Sequence, residues 1–268
     1  MTNHAAPRQA VILAAGMGSR LRPLTEMRPK PLIEVHGVPI LHNALRQLDR
    51  VGVRRATIVV GYRKEAIEQA CGHRFGDVEV DYVPSAVFAS TGSAYSLWLA
   101  REALLAGDIF LLEGDVFFEG AALRHLIGAE AANVAAVAAF DERMEGSAAL
   151  LGADDVITEI RMRQSAADLP AGSAAPLFKT MNLFRFSAAA LHHLIVPELD
   201  RLVGGGAQAI YTEELLAHLI ADHGLRLTAV RCDADKWYEI DNEADLRIAE
   251  DIFAPAPRGA LVRAAGRA

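Results

Sequence analysis

The chain has 268 residues, is 52% apolar and 23% charged, and carries a formal net charge of −7. That length can bury a full core as one large α/β domain or two small ones, and the acidic surplus argues against a nucleic-acid binder held by a broad basic surface. Its two cysteines, Cys71 and Cys232, lack CxxC or histidine spacing, and the nine histidines show no catalytic or metal spacing, which argues against a disulfide scaffold or a structural zinc.

In chain order, the first element is an apolar run over residues 10–15, β-branched at Val11 and Ile12 and stopped by Gly16, which reads as a buried strand. It is too short for a membrane span and lacks signal-peptide architecture, so a cytoplasmic protein with no membrane partner is expected. Gly16 and Gly18 let the backbone turn sharply and offer N–H groups to an anion. Arg20, Arg22 and Lys30 add positive charge to the same loop, and Pro23, Pro29 and Pro31 stiffen it. A strand feeding such a loop can hold several phosphates.

Beyond the loop, residues 32–37 suggest a short extended piece and a turn. Ile40, Leu41, Ala44, Leu45, Leu48 and Val51 predict a helix over 40–51. Strands follow over 55–60, 78–83 and 109–112, with helices over 64–70 and 94–105 between them. This alternation predicts a Rossmann-like, doubly wound α/β sheet with helices on both faces. In the second half, strand-like runs over 134–140, 148–152, 156–163 and 178–186 have less helix between them, which makes the sheet mixed. A polar stretch over 165–176 separates the last two. Helices over 188–203 and 212–223, a strand over 225–232 and a final helix over 243–253 complete a single domain. Its halves divide at about 9–130 and 131–253, and a flexible tail is expected over 254–268.

Two familiar phosphate loops fit poorly. A dinucleotide fingerprint needs a third glycine where Leu21 stands and a helix opening at once, and a Walker A loop needs Gly-Lys-Ser/Thr after four spacer residues. The run Leu13-Ala14-Ala15-Gly16-Met17-Gly18-Ser19-Arg20-Leu21-Arg22-Pro23-Leu24-Thr25, followed by Lys30-Pro31, instead resembles the signature of nucleotidyltransferases that join an NTP to a phosphorylated small molecule. Later stretches are similar to the phosphocholine and 2-aminoethylphosphonate cytidylyltransferase branch: Val60-Gly-Tyr62, Tyr95-Ser-Leu-Trp-Leu-Ala100, Glu113-Gly-Asp-Val-Phe-Phe118, residues 179–187 and Trp237-Tyr-Glu-Ile-Asp241.

That resemblance implies the nucleotide-diphospho-sugar transferase fold and CMP transfer from CTP, or another NTP, to a small phosphorylated or phosphonate acceptor. Leu13, Ala14, Ala15, Gly16, Gly18, Ser19 and Arg20 would bind the nucleotide, with Gly92 and Ser93 at its base or ribose. Arg20 would hold the β- and γ-phosphates, and Lys30 would neutralise charge at the α-phosphate. An NTP brings a divalent cation, and carboxylates are the usual magnesium ligands. Asp115 and Asp241 are the expected pair, although Asp115 equally suits a turn after Gly114, and Asp241, or Asn242 beside it, a helix cap. Lys179 and Asn182 are expected at the acceptor, Lys179 being equally suited to the surface. Trp237 could cage an ammonium or serve the core. Tyr211 with Glu213 and Glu214 could form an amine-binding edge, or the two glutamates could simply answer a helix dipole. Sugar- or inositol-1-phosphate nucleotidyl transfer is the second enzymatic reading, and a non-catalytic nucleotide-sensing homologue the third. The joint presence of Lys30, Asp115 and Asp241 counts against the last.

Overall fold

Side chains alternate between the two faces of a strand, and the first strand shows the consequence directly. Ala10, Ile12 and Ala14 enter one core cluster, while Val11 and Leu13 enter a second. The computed structural model describes residues 6–169 and 176–255. In chain order the described strands are β1 (Gln9–Ala14), β2 (Glu34–Val35), β3 (Val38–Pro39), β4 (Arg55–Val60), β5 (Arg74–Phe75), β6 (Val78–Pro84) and β7 (Ile109–Glu113). They continue with β8 (Val116–Phe118), β9 (Val134–Ala139), β10 (Gly146–Leu151), β11 (Ile157–Gln164), β12 (Phe178–Phe186), β13 (Thr228–Arg231) and β14 (Trp237–Glu239).

Ten of them form one mixed sheet in the order β11-β10-β12-β7-β1-β4-β6-β5, with β9 pairing β12 and β13. The centre is parallel: β1 pairs β4 and β7, and β4 pairs β6. The second half adds β12 antiparallel to β7, with β10 and β9 antiparallel to β12. Helices Ile40–Arg50, Lys64–Cys71 and Ala121–Gly128 bury Leu41, Leu45, Ile67 and Leu123 against one face. Helices Ser93–Leu99, Val196–Gly204 and Thr212–Asp222 bury Leu97, Leu199, Leu215 and Leu219 against the other. No helix of the described residues is long and apolar enough to cross a membrane. Cys71 and Cys232 are buried free thiols, pushed up to about 12 by burial.

The chain runs from β1 outward through β4 to β6, then returns to β7 on the other side of β1. In open α/β sheets a ligand crevice lies outside the carboxyl ends of the strands at such a reversal. The loop holding Gly16 and Gly18 leaves β1 there, and Glu113-Gly114-Asp115 ends β7 beside it. Gly114 makes this approach close: its N–H donates to Leu13 O at 2.8 Å, and a Cβ on it would lie 2.9 Å from that oxygen.

The structure departs from the sequence reading at several elements. The helix expected over 94–105 divides at Ala100 into Ser93–Leu99 and Arg101–Leu104, where the Ala100 N–H bonds Leu97 O one residue short of the helical partner. A wide turn at Leu191–Ile195 interrupts the helix expected over 188–203, because Pro197 has no N–H for the carbonyl four residues before it. Helix Ala121–Gly128 is additional to the elements expected from sequence, and β8 and β14 are too short for periodicity to register. The strand expected over 225–232 narrows to Thr228–Arg231. Of the expected polar stretch and tail, residues 170–175 and 256–268 lie outside the described residues.

Overpacking a close backbone approach costs about 1–3 kcal/mol. Gly114→Ala should therefore lower the urea midpoint without changing the slope of unfolding. An unchanged midpoint would contradict the close contact of β1 with the β7 terminus.

Candidate active site

Three short elements converge on Lys30. Gly18 adopts φ +61, and a Cβ there would lie 2.8 Å from Lys30 Cβ, so only glycine lets the loop fold back over the lysine. Gly18 O accepts from the Thr25 hydroxyl at 2.9 Å, closing the loop, and Lys30 then opens a single turn at Lys30–Leu32. From the other side β8 and β14 pair antiparallel, Val116 opposite Glu239, and the Ile240 N–H donates to Asp115 O at 2.9 Å. This small ladder brings two aspartates from distant parts of the chain to one place. The Lys30 ammonium donates to Asp115 Oδ2 at 2.8 Å and to Asp241 Oδ1 at 2.6 Å, and Arg20 reaches the same Asp241 oxygen at 2.9 Å.

Asp115 stands in the turn after Gly114, and the helix-cap alternative for Asp241 resolves locally. Asn242 caps helix Glu243–Ile252 by accepting from the N–H groups of Ala244 and Asp245, while Asp245 accepts from the N–H groups of Asp241 and Asn242. The Asp241 carboxylate is thereby left to Lys30 and Arg20. Burial pushes the Asp241 carboxyl up, but Lys30 and then Arg20 outweigh it and hold it below the usual carboxylate range. Burial alone would lower the Lys30 ammonium, yet Asp115 and Asp241 hold it above its ordinary value.

The surrounding cleft has a volume of about 720 Å³ and is lined by Leu13, Ala14, Gly16, Gly18, Ser19, Arg20 and Lys30 from the first loop. Glu113, Asp115, Glu145, Glu213, Glu239 and Asp241 bring six carboxylates, against four basic groups on Arg20, Lys30, Arg163 and Lys179. Glu113 and Glu239 are not among the residues that sequence reasoning singles out, although each stands two residues before a named aspartate. Glu113 closes β7 before the turn at Gly114 and Asp115, and Glu239 closes β14, so both carboxylates stand at strand ends facing the cleft. One oxygen each from Glu113, Asp115 and Glu239 lies within 4.8 Å of the others, and Asp115 Oδ1 is buried without a hydrogen-bond partner. An all-oxygen cluster with an orphaned acceptor and surplus negative charge fits a hard divalent cation. Burial, then repulsion from Glu213, Asp115 and Glu239, raises Glu113 well above the carboxylate range. Burial raises Glu239 to about 7, with Lys179 opposing and Asp115 and Asp241 adding.

Lys179 is 2% exposed, which removes the surface reading. It donates to Glu239 Oε2 at 2.6 Å, and Asn182 donates to Glu239 Oε1 at 3.0 Å from a left-handed backbone, φ +55, inside a β12 bulge. Tyr211 lines the cleft, but the carboxylate that joins it there is Glu213, which accepts from Ser147 at 3.2 Å. Glu214 turns back to accept from the Tyr211 N–H at 2.7 Å and caps its helix, so the dipole reading holds for it. Trp237 is buried in the core and lines an adjoining cavity of about 450 Å³ with Tyr238, Met144 and Asp245, so it and Tyr211 do not form one cage. Gly92 and Ser93 sit at a packing joint instead of lining the cleft. A Cβ on Gly92 would lie 1.9 Å from Ile210 O, and Ser93 Oγ accepts from the Thr212 N–H at 2.8 Å. Ala15 is buried behind the loop, and Arg22 is exposed outside the cleft.

A depression of about 740 Å³ lies at the amino ends of the parallel strands, around Arg8, Arg54, Arg55 and Arg74. Three of those arginines already face Asp49, Asp77, Glu79 or Asp81, and the position is the wrong end of the strands for a switch-point ligand.

The profile of the family described as "MobA-like NTP transferase domain" matches residues 10–226. The CMP-5'-(3-aminopropyl)phosphonate synthase of Streptomyces rubellomurinus is 37% identical over 261 residues, 95% of this chain and 40% of that protein. The 2-aminoethylphosphonate cytidylyltransferase of Lancefieldella rimae is 36% identical over 107 residues, 40% of this chain and 42% of that protein. The matched stretch thus spans less than half the length of either relative. Among solved structures, the CTP:phosphocholine cytidylyltransferase of Streptococcus pneumoniae superposes with a TM-score of 0.73 at 21% identity, covering 92% of this chain and 99% of that one. The inositol-1-phosphate CTP transferase of T. maritima superposes with a TM-score of 0.72 at 23% identity, covering 92% and 96%. At these identities the likeness is one of fold.

Because Glu239 binds its proton more tightly folded, with a pKa of about 7 against an ordinary 4.5, its stabilising contribution is present below pH 4.5 and lost as pH rises through about 7. In metal-free buffer, thermal midpoints of Glu239→Gln relative to wild type should rise across that window. Parallel midpoint curves would contradict the raised carboxyl.

Proposed function

The chain belongs to the MobA-like NTP transferase family, and we propose that it transfers CMP from CTP to an aminoalkyl phosphonate or a similar small phosphorylated amine, releasing pyrophosphate. The observation that carries this reading is the Lys30 ammonium seated between Asp115 and Asp241 at the switch-point cleft. An acceptor phosphonate is already anionic, so its oxygen can attack the α-phosphorus in line without a protein nucleophile. The protein's contribution is then position and charge. The loop at Gly16 and Gly18, with Arg20, holds the β- and γ-phosphates. Lys30 turns part of its charge from the aspartates to the α-phosphate, where negative charge builds.

Asp115 and Asp241 would hold magnesium, with Glu113 and Glu239 at hand. Once bound it would screen the phosphate oxygens and favour pyrophosphate as leaving group. On the acceptor side, Lys179 meets the phosphonate, and the surplus of carboxylates including Glu213 suits its ammonium end. Relatives named for 3-aminopropyl- and 2-aminoethylphosphonate chemistry support the aminoalkyl class.

Pyrophosphate release with CTP, UTP, ATP or GTP, magnesium, and 2-aminoethylphosphonate, 3-aminopropylphosphonate, phosphocholine or glucose-1-phosphate should be greatest with CTP and an aminoalkyl phosphonate. Release only with the sugar phosphate would overturn the acceptor class, and none with any pair would favour a sensing role. Lys30→Ala and Asp115→Asn should each lower kcat by about a hundredfold or more, as for loss of a preorganised charge, with circular dichroism unchanged. Wild-type turnover in either variant would remove it from the reaction.

A further inference from the structure

Outside the cleft, helices Val196–Gly204 and Thr212–Asp222 bring together three groups from separate parts of the chain: Glu198, His218 and His223. His218 Nε2 lies 3.1 Å from Glu198 Oε1 and 3.1 Å from His223 Nε2, while His223 Nε2 lies 3.9 Å from Glu198 Oε2. With metal bonds of about 2.0–2.1 Å, a tetrahedral zinc ion has ligand–ligand edges of about 3.3 Å. The two 3.1 Å spacings at His218 Nε2 are close to that edge. The third spacing is to the other Glu198 oxygen, and one ligand atom from each residue lies within 4.8 Å of the others. The other faces are already committed. Asp222 Oδ2 lies 2.9 Å from His218 Nδ1, so in the neutral tautomer with its proton on Nδ1 the Nε2 is unprotonated, 3.1 Å from Glu198 Oε1. Arg201 grips both Glu198 oxygens, at 2.8 and 2.6 Å, and fixes the carboxylate, which is only 4% exposed. In that tautomer three Lewis bases lie within 4.8 Å of one another. A single proton fully serves one edge of that triangle, whereas a cation serves all three. A carboxylate on the far nitrogen of a ligating histidine is the usual outer partner of such a site.

We propose that Glu198, His218 and His223 form a structural site for zinc or a similar divalent transition metal, with a fourth position open to water. Arg201 draws charge from Glu198, which weakens its hold on the metal. The metal clasps one helix to the far end of another whose opening residues, Tyr211 and Glu213, line the cleft. No pattern in the sequence announces it, because the carboxylate comes from a different helix and the histidines straddle a helix end.

The test uses the purified chain with excess magnesium to occupy the cleft carboxylates. Calorimetry should find one zinc per chain, cobalt should give the intense visible bands of a tetrahedral site, and zinc should raise the thermal midpoint. His218→Gln and His223→Gln should abolish all three signals. Asp222→Asn should weaken zinc about tenfold or more, and Asp115→Asn should leave it unchanged. His223 is exposed, so its replacement should leave circular dichroism unaltered. Absence of zinc binding in wild type, binding that survives both histidine variants, or binding lost in Asp115→Asn would overturn the site.

Discussion

One ammonium group between two carboxylates governs the rest of this molecule. Asp115 and Asp241 come from distant parts of the chain, and with Glu113 and Glu239 beside them they would repel one another without a cation. Lys30 supplies that cation. Removing one partner from a buried cluster of this kind leaves an uncompensated charge, which is far more costly than the cluster's net worth. The fold is arranged to deliver these three side chains: Gly18 lets the first loop close over Lys30, Asp115 follows the end of β7 at Glu113, and the β8–β14 ladder carries Asp241 in beside it.

Under the proposed function the same arrangement would let the cleft take a polyanion although the chain is acidic overall. Its carboxylates outnumber its basic groups, so nucleotide phosphates would enter together with a hard cation. Lys30, Arg20 and Lys179 are each held by a carboxylate that a phosphate oxygen can replace. The positive groups are thus preorganised in direction and partly neutralised until ligand arrives. Where the substrate itself is the nucleophile, oriented charge in a water-excluded site is the strongest means a protein has of lowering the barrier.

Much of this is legible in the residues. The first strand and its glycine–arginine–lysine loop stand out because a short apolar run, two glycines and three prolines leave few conformations open. The parallel centre follows from strand–helix alternation. Glu113 and Glu239 are harder to find although the Glu-x-Asp spacing occurs at both aspartates, since nothing local says that the β8–β14 pairing brings the two stretches together. Glu214 and Gly92 suggest ligand contacts in the sequence, yet one caps a helix and the other fills a packing joint. The capping box of Glu214 is local, three residues from Tyr211, whereas the approach of Gly92 to Ile210 O is made across the fold. The pairing of Glu198 with His218 and His223 is hidden for the same reason.

The central claim is that this chain organises charge around a direct displacement and forms no bond to the nucleotide. Its most direct test is the stereochemical course at the α-phosphorus, followed with CTP made chiral there by sulfur substitution and an aminoalkyl phosphonate acceptor. A single in-line attack predicts inversion of configuration. Retention would require two displacements through a covalent enzyme intermediate and would contradict the account.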